Sequence, residues 1–224
     1  MPAFDEKFMT TRYENVIFDL DGTLIDSAAD ISDCLRKAFF ETTGKNTVCG
    51  IDRVFLGSPL SEIVSAVAPE LSATEAASVC AKFRELYDSS GYPLTVLMPG
   101  VRDAVLVLLR ANIRLFIATN KPIKPTLRIL ARLGITEWFR DAVSPDVLPG
   151  QRMSKPQMLD FLIKKWAMER RATLMVGDSE TDIAAAKQNH IPCAYLTSGY
   201  GDDSRAASLK PEILRAGMEF LLTI

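Results

Sequence analysis

Residues Val16 to Ser27 read VIFDLDGTLIDS, and the fold turns on how that stretch is understood. Val16, Ile17 and Phe18 have the β-branched and aromatic character of a buried strand, whereas acids are depleted in strands and Asp21-Gly22 is a turn signal. Asp19 and Asp21 therefore stand where the strand ends. Two carboxylates there either punctuate a solvated turn or belong to a site that gathers acids, and the rest of the chain decides between the two.

Four more short apolar runs follow: Arg114 to Thr119, Asp141 to Ser144, Thr173 to Gly177 and Cys193 to Thr197. Together with Val16 to Asp19 they alternate with longer helical patterns, which predicts an α/β fold, a doubly wound, mainly parallel Rossmann-like sheet covered by helices. From Leu20 to Ile113 no comparable strand occurs, over far more chain than one crossover helix needs, so that interval holds an insertion. Inside it, Ala28 to Phe40 has helical spacing and stops near Gly44. Ser58-Pro59 reads as an N-cap followed by proline at the first helical position. Ser72-Ala73-Thr74-Glu75 has the spacing of a capping box, opening a helix to about Tyr87. The expected division is a core of residues 1–26 and 94–224 and a helical cap of residues 27–93, whose two crossings are hinges. The chain returns around Met98-Pro99-Gly100-Val101 into a helix through Ala111, and Lys210 to Leu222 is expected to form one last amphipathic helix.

The 224 residues include 26 basic and 28 acidic side chains, with no massed basic run, so no nucleic acid and no membrane partner is expected; a small molecule fits better. Cys34, Cys49, Cys80 and Cys193 lie far apart without a C-x-x-C pair, and His190 is the one histidine, which argues against a zinc site. The cysteines read as core fillers and His190 as a structural or surface residue. The first residues, MPAFDEKFMTTRYEN, carry charges of both signs and no apolar centre, and no run approaches transmembrane length. A reduced, soluble, cytoplasmic protein is expected, as monomer or homodimer.

The polar features fall at comparable places. Asp19 and Asp21 follow the first core strand, Thr119-Asn120-Lys121 the second, and Asp178 and Asp182 the fourth, while Lys155 opens a helix. Open α/β sheets form their sites outside the carboxyl ends of the strands, so all of these can converge. Carboxylates so gathered repel one another unless a cation sits among them, and oxygen-only ligands favour magnesium. Simpler readings exist: Thr119 and Asn120 fit the cap of a helix led by Pro122, and Asp178 and Asp182 fit acids that complement a helix dipole. Helix N-termini are also ready anion sites.

The run DLDGTLIDS resembles the first motif of the haloacid dehalogenase superfamily, D-x-D-G-T-L-x-D-S. Thr119 in IATNK resembles the second motif, Lys155 in SKP the third, and Asp178 with Asp182 in GDSETD the fourth; the resemblance runs from about Val16 to Gly199-Tyr200-Gly201. Within the superfamily the chain is similar to the phosphoglycolate phosphatase and β-phosphoglucomutase branch, whose small helical cap lies between motifs one and two. The resemblance implies that Asp19 is the nucleophile, forming an aspartyl-phosphate, and that Asp21 is the general acid and then base. It implies that Thr119, Asn120 and Lys155 bind the phosphoryl group. It implies Mg2+ held by Asp19, the Asp21 carbonyl and Asp178, with Asp182 bracing the ion's water shell. Dehalogenases do not need the second acid of motif one, so Asp21 argues for phosphate over halide. Two departures stand out: KPQM lacks the second proline that many phosphoglycolate phosphatases have, and Gln151-Arg152-Met153 precedes it. Arg53 and Lys121 are the weakest candidates: the resemblance implies that the cap, where Arg53 lies between Gly50 and Gly57, sets substrate choice, but Arg53 is more simply a solvated side chain, and Lys121 receives no role.

The function implied is Mg2+-dependent hydrolysis of a small phosphorylated metabolite, a phosphoglycolate-like phosphomonoester. A phosphomutase would use the same Asp19 chemistry on a sugar phosphate. A non-catalytic phospho-accepting scaffold is the alternative of another class, although receiver domains place their aspartate differently and lack a helical insertion.

Overall fold

The computed structural model describes residues 13–46 and 59–223. Its centre is a six-stranded parallel sheet built from β1 (Asn15–Phe18), β4 (Arg114–Ala118), β5 (Asp141–Val143), β6 (Thr173–Gly177), β7 (Cys193–Leu196) and β8 (Ile213–Arg215). Its order is β5-β4-β1-β6-β7-β8, with every neighbouring pair parallel. Five of these strands occupy the five apolar runs read from the sequence.

Successive residues of a strand point to opposite faces, and the core divides accordingly. Val16, Phe18, Leu115, Ile117, Leu174 and Val176 face a layer that includes Val105 and Leu108 of α4 (Val101–Arg110) and Ile129 and Leu130 of α5 (Ile123–Leu133). Ile17, Phe116 and Met175 face Met158 and Leu162 of α6 (Lys155–Lys165), Ile183 of α7 (Glu180–Gln188) and Ala206 of α8 (Asp203–Ser208). The sheet is therefore doubly wound. The chain runs outward from β1 through β4 to β5, then crosses back to β6 on the other side of β1, so the direction of winding reverses beside β1.

Between β1 and α4 stand α1 (Ala28–Thr43), α2 (Leu60–Val67) and α3 (Ala73–Ser89). Helix α1 lays Ile31, Cys34, Leu35 and Phe39 into the same apolar cluster as Val79, Cys80, Phe83 and Tyr87 of α3. It ends at Gly44, which takes φ 69°. Ser72 and Glu75 form the expected capping box at the start of α3, with Glu75 N donating to Ser72 Oγ at 3.3 Å and Ser72 N to Glu75 Oε2 at 2.9 Å. Proline 59 is the N-cap of α2, one position earlier in role than expected, while Ser58, Arg53 and Cys49 lie outside the described residues.

Where the chain leaves and rejoins the sheet region, the two crossings pair with each other. Strand β2 (Ile25–Asp26) is antiparallel to β3 (Val96–Leu97), with Ile25 opposite Leu97. Asp30 secures the same junction by accepting from Leu94 N at 3.1 Å and Thr95 Oγ1 at 2.7 Å.

The expected C-terminal helix is corrected: residues from Lys210 on form β8, paired with β7, and then a 3-10 turn at Met218–Thr223. An open backbone edge on β7 outweighed local helical spacing, since ladder pairing satisfies a whole row of amide groups. The described cysteines, Cys34, Cys80 and Cys193, are free and buried in the apolar clusters, and His190 is exposed. No described helix is long and apolar enough to cross a membrane.

Candidate active site

Each polar residue read from the sequence is carried by a strand end or a helix start. Backbone Asp19 N donates to Val176 O at 2.9 Å, so the turn after β1 is stitched to β6, and Thr119 N donates to Val143 O at 3.0 Å beyond β4. Lys155 is the first residue of α6, where Gln157 Oε1 accepts from Ser154 N at 2.8 Å. Met158, at the place of the absent second proline, is fully buried under the sheet. These anchors bring Asp19, Asp21, Thr119, Asn120, Lys155 and Asp178 to one cavity of about 300 Å³, which α1, α2 and α3 roof with Ile31, Leu60, Ile63, Phe83 and Tyr87. Asp182 lies just behind it, fully buried.

Lys155 reaches two acids at once, with Nζ 2.5 Å from Asp19 Oδ1 and 2.6 Å from Asp182 Oδ1. Asp19 Oδ2 takes no protein hydrogen bond among the described residues. Asp182 Oδ2 accepts from Ser179 N at 3.0 Å, so the acid that opens α7 as a capping residue also turns a charge toward the site. Asp178 is held through both oxygens, by Thr23 Oγ1 at 2.6 Å and by Tyr200 N at 2.7 Å. The backbone closes tightly around it. Gly22 takes φ 84°, which side chains rarely adopt, and a Cβ on Gly199 would overlap the Asp178 side chain.

Burial, reinforced by the charges of Asp182 and Asp178 and opposed by Lys155, pushes the Asp19 carboxyl well above the usual carboxylate range. Burial and Asp182 likewise push Asp178 up to about 7 against the hydrogen bonds from Thr23 and Tyr200. Burial disfavours the Lys155 ammonium, but Asp182 and Asp19 more than offset that and hold its pKa above the ordinary value.

Asp19, Asp178 and Asp182 offer carboxylate oxygens within 4.8 Å of one another. Oxygen donors alone suit a hard cation. Once ionised, these three acids set three negative charges against the Lys155 ammonium, an excess of two that a divalent cation would cancel. The residues therefore fit a divalent metal. Asp21 points its carboxyl away from the three-acid group and toward Lys121, with Oδ1 2.9 Å from Nζ.

Lys121 is the site residue that the sequence reading left without a role. Its adjacency to Thr119 was visible, but its acid partner lies 100 positions away, and no local pattern reports such a pair. Tyr200 was seen only as part of a Gly-Tyr-Gly run; its hydroxyl accepts from Ser27 N at 2.9 Å and Ala28 N at 3.1 Å and donates to Asp26 at 2.7 Å.

A doubly wound parallel sheet that gathers buried carboxylates and lysines where its winding reverses is the frame of an α/β enzyme. The family sequence model described as haloacid dehalogenase-like hydrolase matches residues 16–196, and the chain belongs to that family. It is 31% identical over 217 residues to the phosphoglycolate phosphatase of Vibrio cholerae, covering 93% of this chain and 95% of that one. It is 29% identical over 228 residues to the phosphoglycolate phosphatase of Pseudomonas fluorescens, covering 99% and 83%. Among solved structures, a predicted phosphoglycolate phosphatase from Haemophilus somnus superposes with TM-score 0.83 at 24% identity, covering 95% of this chain and 98% of that one. A haloacid dehalogenase-like family hydrolase from Streptococcus pneumoniae superposes with TM-score 0.82 at 21% identity, covering 95% and 98%. At such identities these structures speak for the fold alone.

Proposed function

We propose that this chain is a magnesium-dependent phosphatase that hydrolyses a small, phosphoglycolate-like phosphomonoester through an aspartyl-phosphate on Asp19. The observation that carries this reading is the setting of Asp19: at the end of the central strand, with Oδ1 fixed by Lys155 and Oδ2 left to the cavity. The names of the relatives support the substrate class.

Asp19 attacks phosphorus while the bond from phosphorus to the ester oxygen breaks, and Asp21 gives that oxygen its proton. In the second half Asp21 takes a proton from water as the water oxygen attacks phosphorus; the bond to Asp19 breaks and inorganic phosphate leaves. Phosphoryl transfer rests mainly on positioning and charge stabilisation, which the remaining residues supply. Lys155 and the Asn120 amide face the phosphoryl oxygens. Thr119 Oγ1 accepts from Lys121 N at 3.1 Å, which leaves its own proton to donate to the same group. Asp19, the Asp21 carbonyl and Asp178 would hold a magnesium ion, with Asp182 bracing its water shell, and the ion would supply the positive charge that lets a carboxylate approach a phosphate dianion. Residues 27–93 act as a cap that excludes water while the phosphorylated Asp19 exists.

The test is phosphate release from a panel of phosphomonoesters, run with magnesium, with chelator, and with Asp19→Asn. Release from one ester that falls about 1000-fold or more in the variant and vanishes in chelator is expected. Release that persists in both conditions would end the reading.

A further inference from the structure

Lys121 is 5% exposed at its side chain, and an ammonium buried to that extent needs a partner. That partner is Asp21 Oδ1, which also accepts from Ser27 Oγ at 2.5 Å. Two donors on one oxygen fix the plane of the carboxyl group and leave Oδ2 as the oxygen open to a reacting group. On its other side Nζ lies 4.9 Å from the centre of the Tyr87 ring, a cation–π distance. Tyr87 belongs to α3 and is itself held by Phe83, stacked at 5.2 Å, and by Tyr92, edge-on at 5.0 Å. Both donors to Asp21 thus lead into the inserted helices, because Ser27 directly precedes α1 and Lys121 rests against α3.

We propose that Lys121 is a positioning residue that orients Asp21 for proton transfer, and that it does so only while Tyr87 of α3 is seated against it. This deepens the phosphatase reading and rests on it. Lys121 meets no reacting atom; it acts through Asp21. When α3 withdraws, Nζ loses the ring face and gains water, and Asp21 loses its fixed plane. Proton transfer is then competent only beneath seated helices, so an open site does not activate water.

Lys121→Met keeps the length of the side chain and removes its charge. The readout is kcat/KM, which covers the steps up to loss of the leaving group, on 2-phosphoglycolate, whose alkoxide leaving group needs a proton, and on p-nitrophenyl phosphate, whose leaving group does not. We expect Lys121→Met to lower kcat/KM about 100-fold on the first ester and less than about 5-fold on the second. Tyr87→Ala should give the same selectivity at smaller amplitude. Adding Lys121→Met to Asp21→Asn should cost less than about 3-fold more on either ester, because two residues that act as one unit are not additive. The double variant buries no unpaired charge and Tyr87→Ala leaves the Lys121–Asp21 pair in place, so the selectivity of Tyr87→Ala between the two esters decides the matter even where Lys121→Met or Asp21→Asn alone does not fold. Equal losses on both esters, or losses that multiply in the double variant, would overturn the proposal and leave the phosphatase reading standing. Absence of turnover by the unaltered protein, or turnover that survives Asp19→Asn, would overturn that reading and the proposal with it.

Discussion

Asp178 shows what a single residue costs and gives here. Its carboxyl, raised to about 7 chiefly by burial, holds a proton in the folded protein under conditions where the unfolded chain, at the ordinary carboxylate value of 3.8, has released it. Stability from this group is therefore fully present below pH 4 or so and is lost as pH rises toward about 7. Metal-free protein should melt lower at pH 8 than at pH 5, and magnesium at pH 8 should restore the difference; a chelated protein that gains stability over that interval would contradict this. The acids themselves were legible because residues two or four apart at strand ends form a local pattern. Lys121 and Gly199 were not, since their reasons for being there, Asp21 and the side chain of Asp178, lie far away in sequence and next to them in space.

Among elements, those set by local chemistry were readable and those set by partners were not. The capping box at Ser72 and the strand ends at Asp19 and Thr119 follow from nearby residues alone. Strands β2 and β3 have two residues each, too few for any periodicity, and exist because the crossings meet. Tyr200 ties that junction to the loop after β7 through Asp26 and the first amides of α1. Tyr200→Phe keeps the ring and removes these bonds, leaving buried amides short of a partner, so it should cost roughly 1–3 kcal/mol in urea unfolding. An unchanged midpoint would mean that the junction holds without it.

At the scale of the whole molecule, α1, α2 and α3 roof a cavity whose floor is the sheet, and among the described residues the chain passes between them through the paired crossings. If closure accompanies the reaction, magnesium with a phosphate mimic such as vanadate should slow amide exchange across residues 60–89 by about tenfold or more, while the sheet strands, already protected, change little. Equal exchange with and without the mimic would count against closure. The parallel sheet was foreseen from the alternation of runs and helices, but the strand order was not, because order depends on which edges meet rather than on what any one strand contains.

That order has a consequence for how the protein is made. Strand β1 is made before the other strands of the sheet, yet it lies in the middle of it, and Asn15 bonds through its side chain to Thr173, 158 positions later. Helices α1 and α3 find one another within a much shorter stretch of chain. The helical insertion is therefore free to assemble early, while an apolar strand waits for neighbours not yet synthesised; such non-local pairing is slow and exposed to aggregation. The nascent chain holds Val16 to Phe18 without both of their neighbouring strands until β6 emerges, and Asp19, the proposed nucleophile, is translated long before the Asp178 and Asp182 that come to lie beside it.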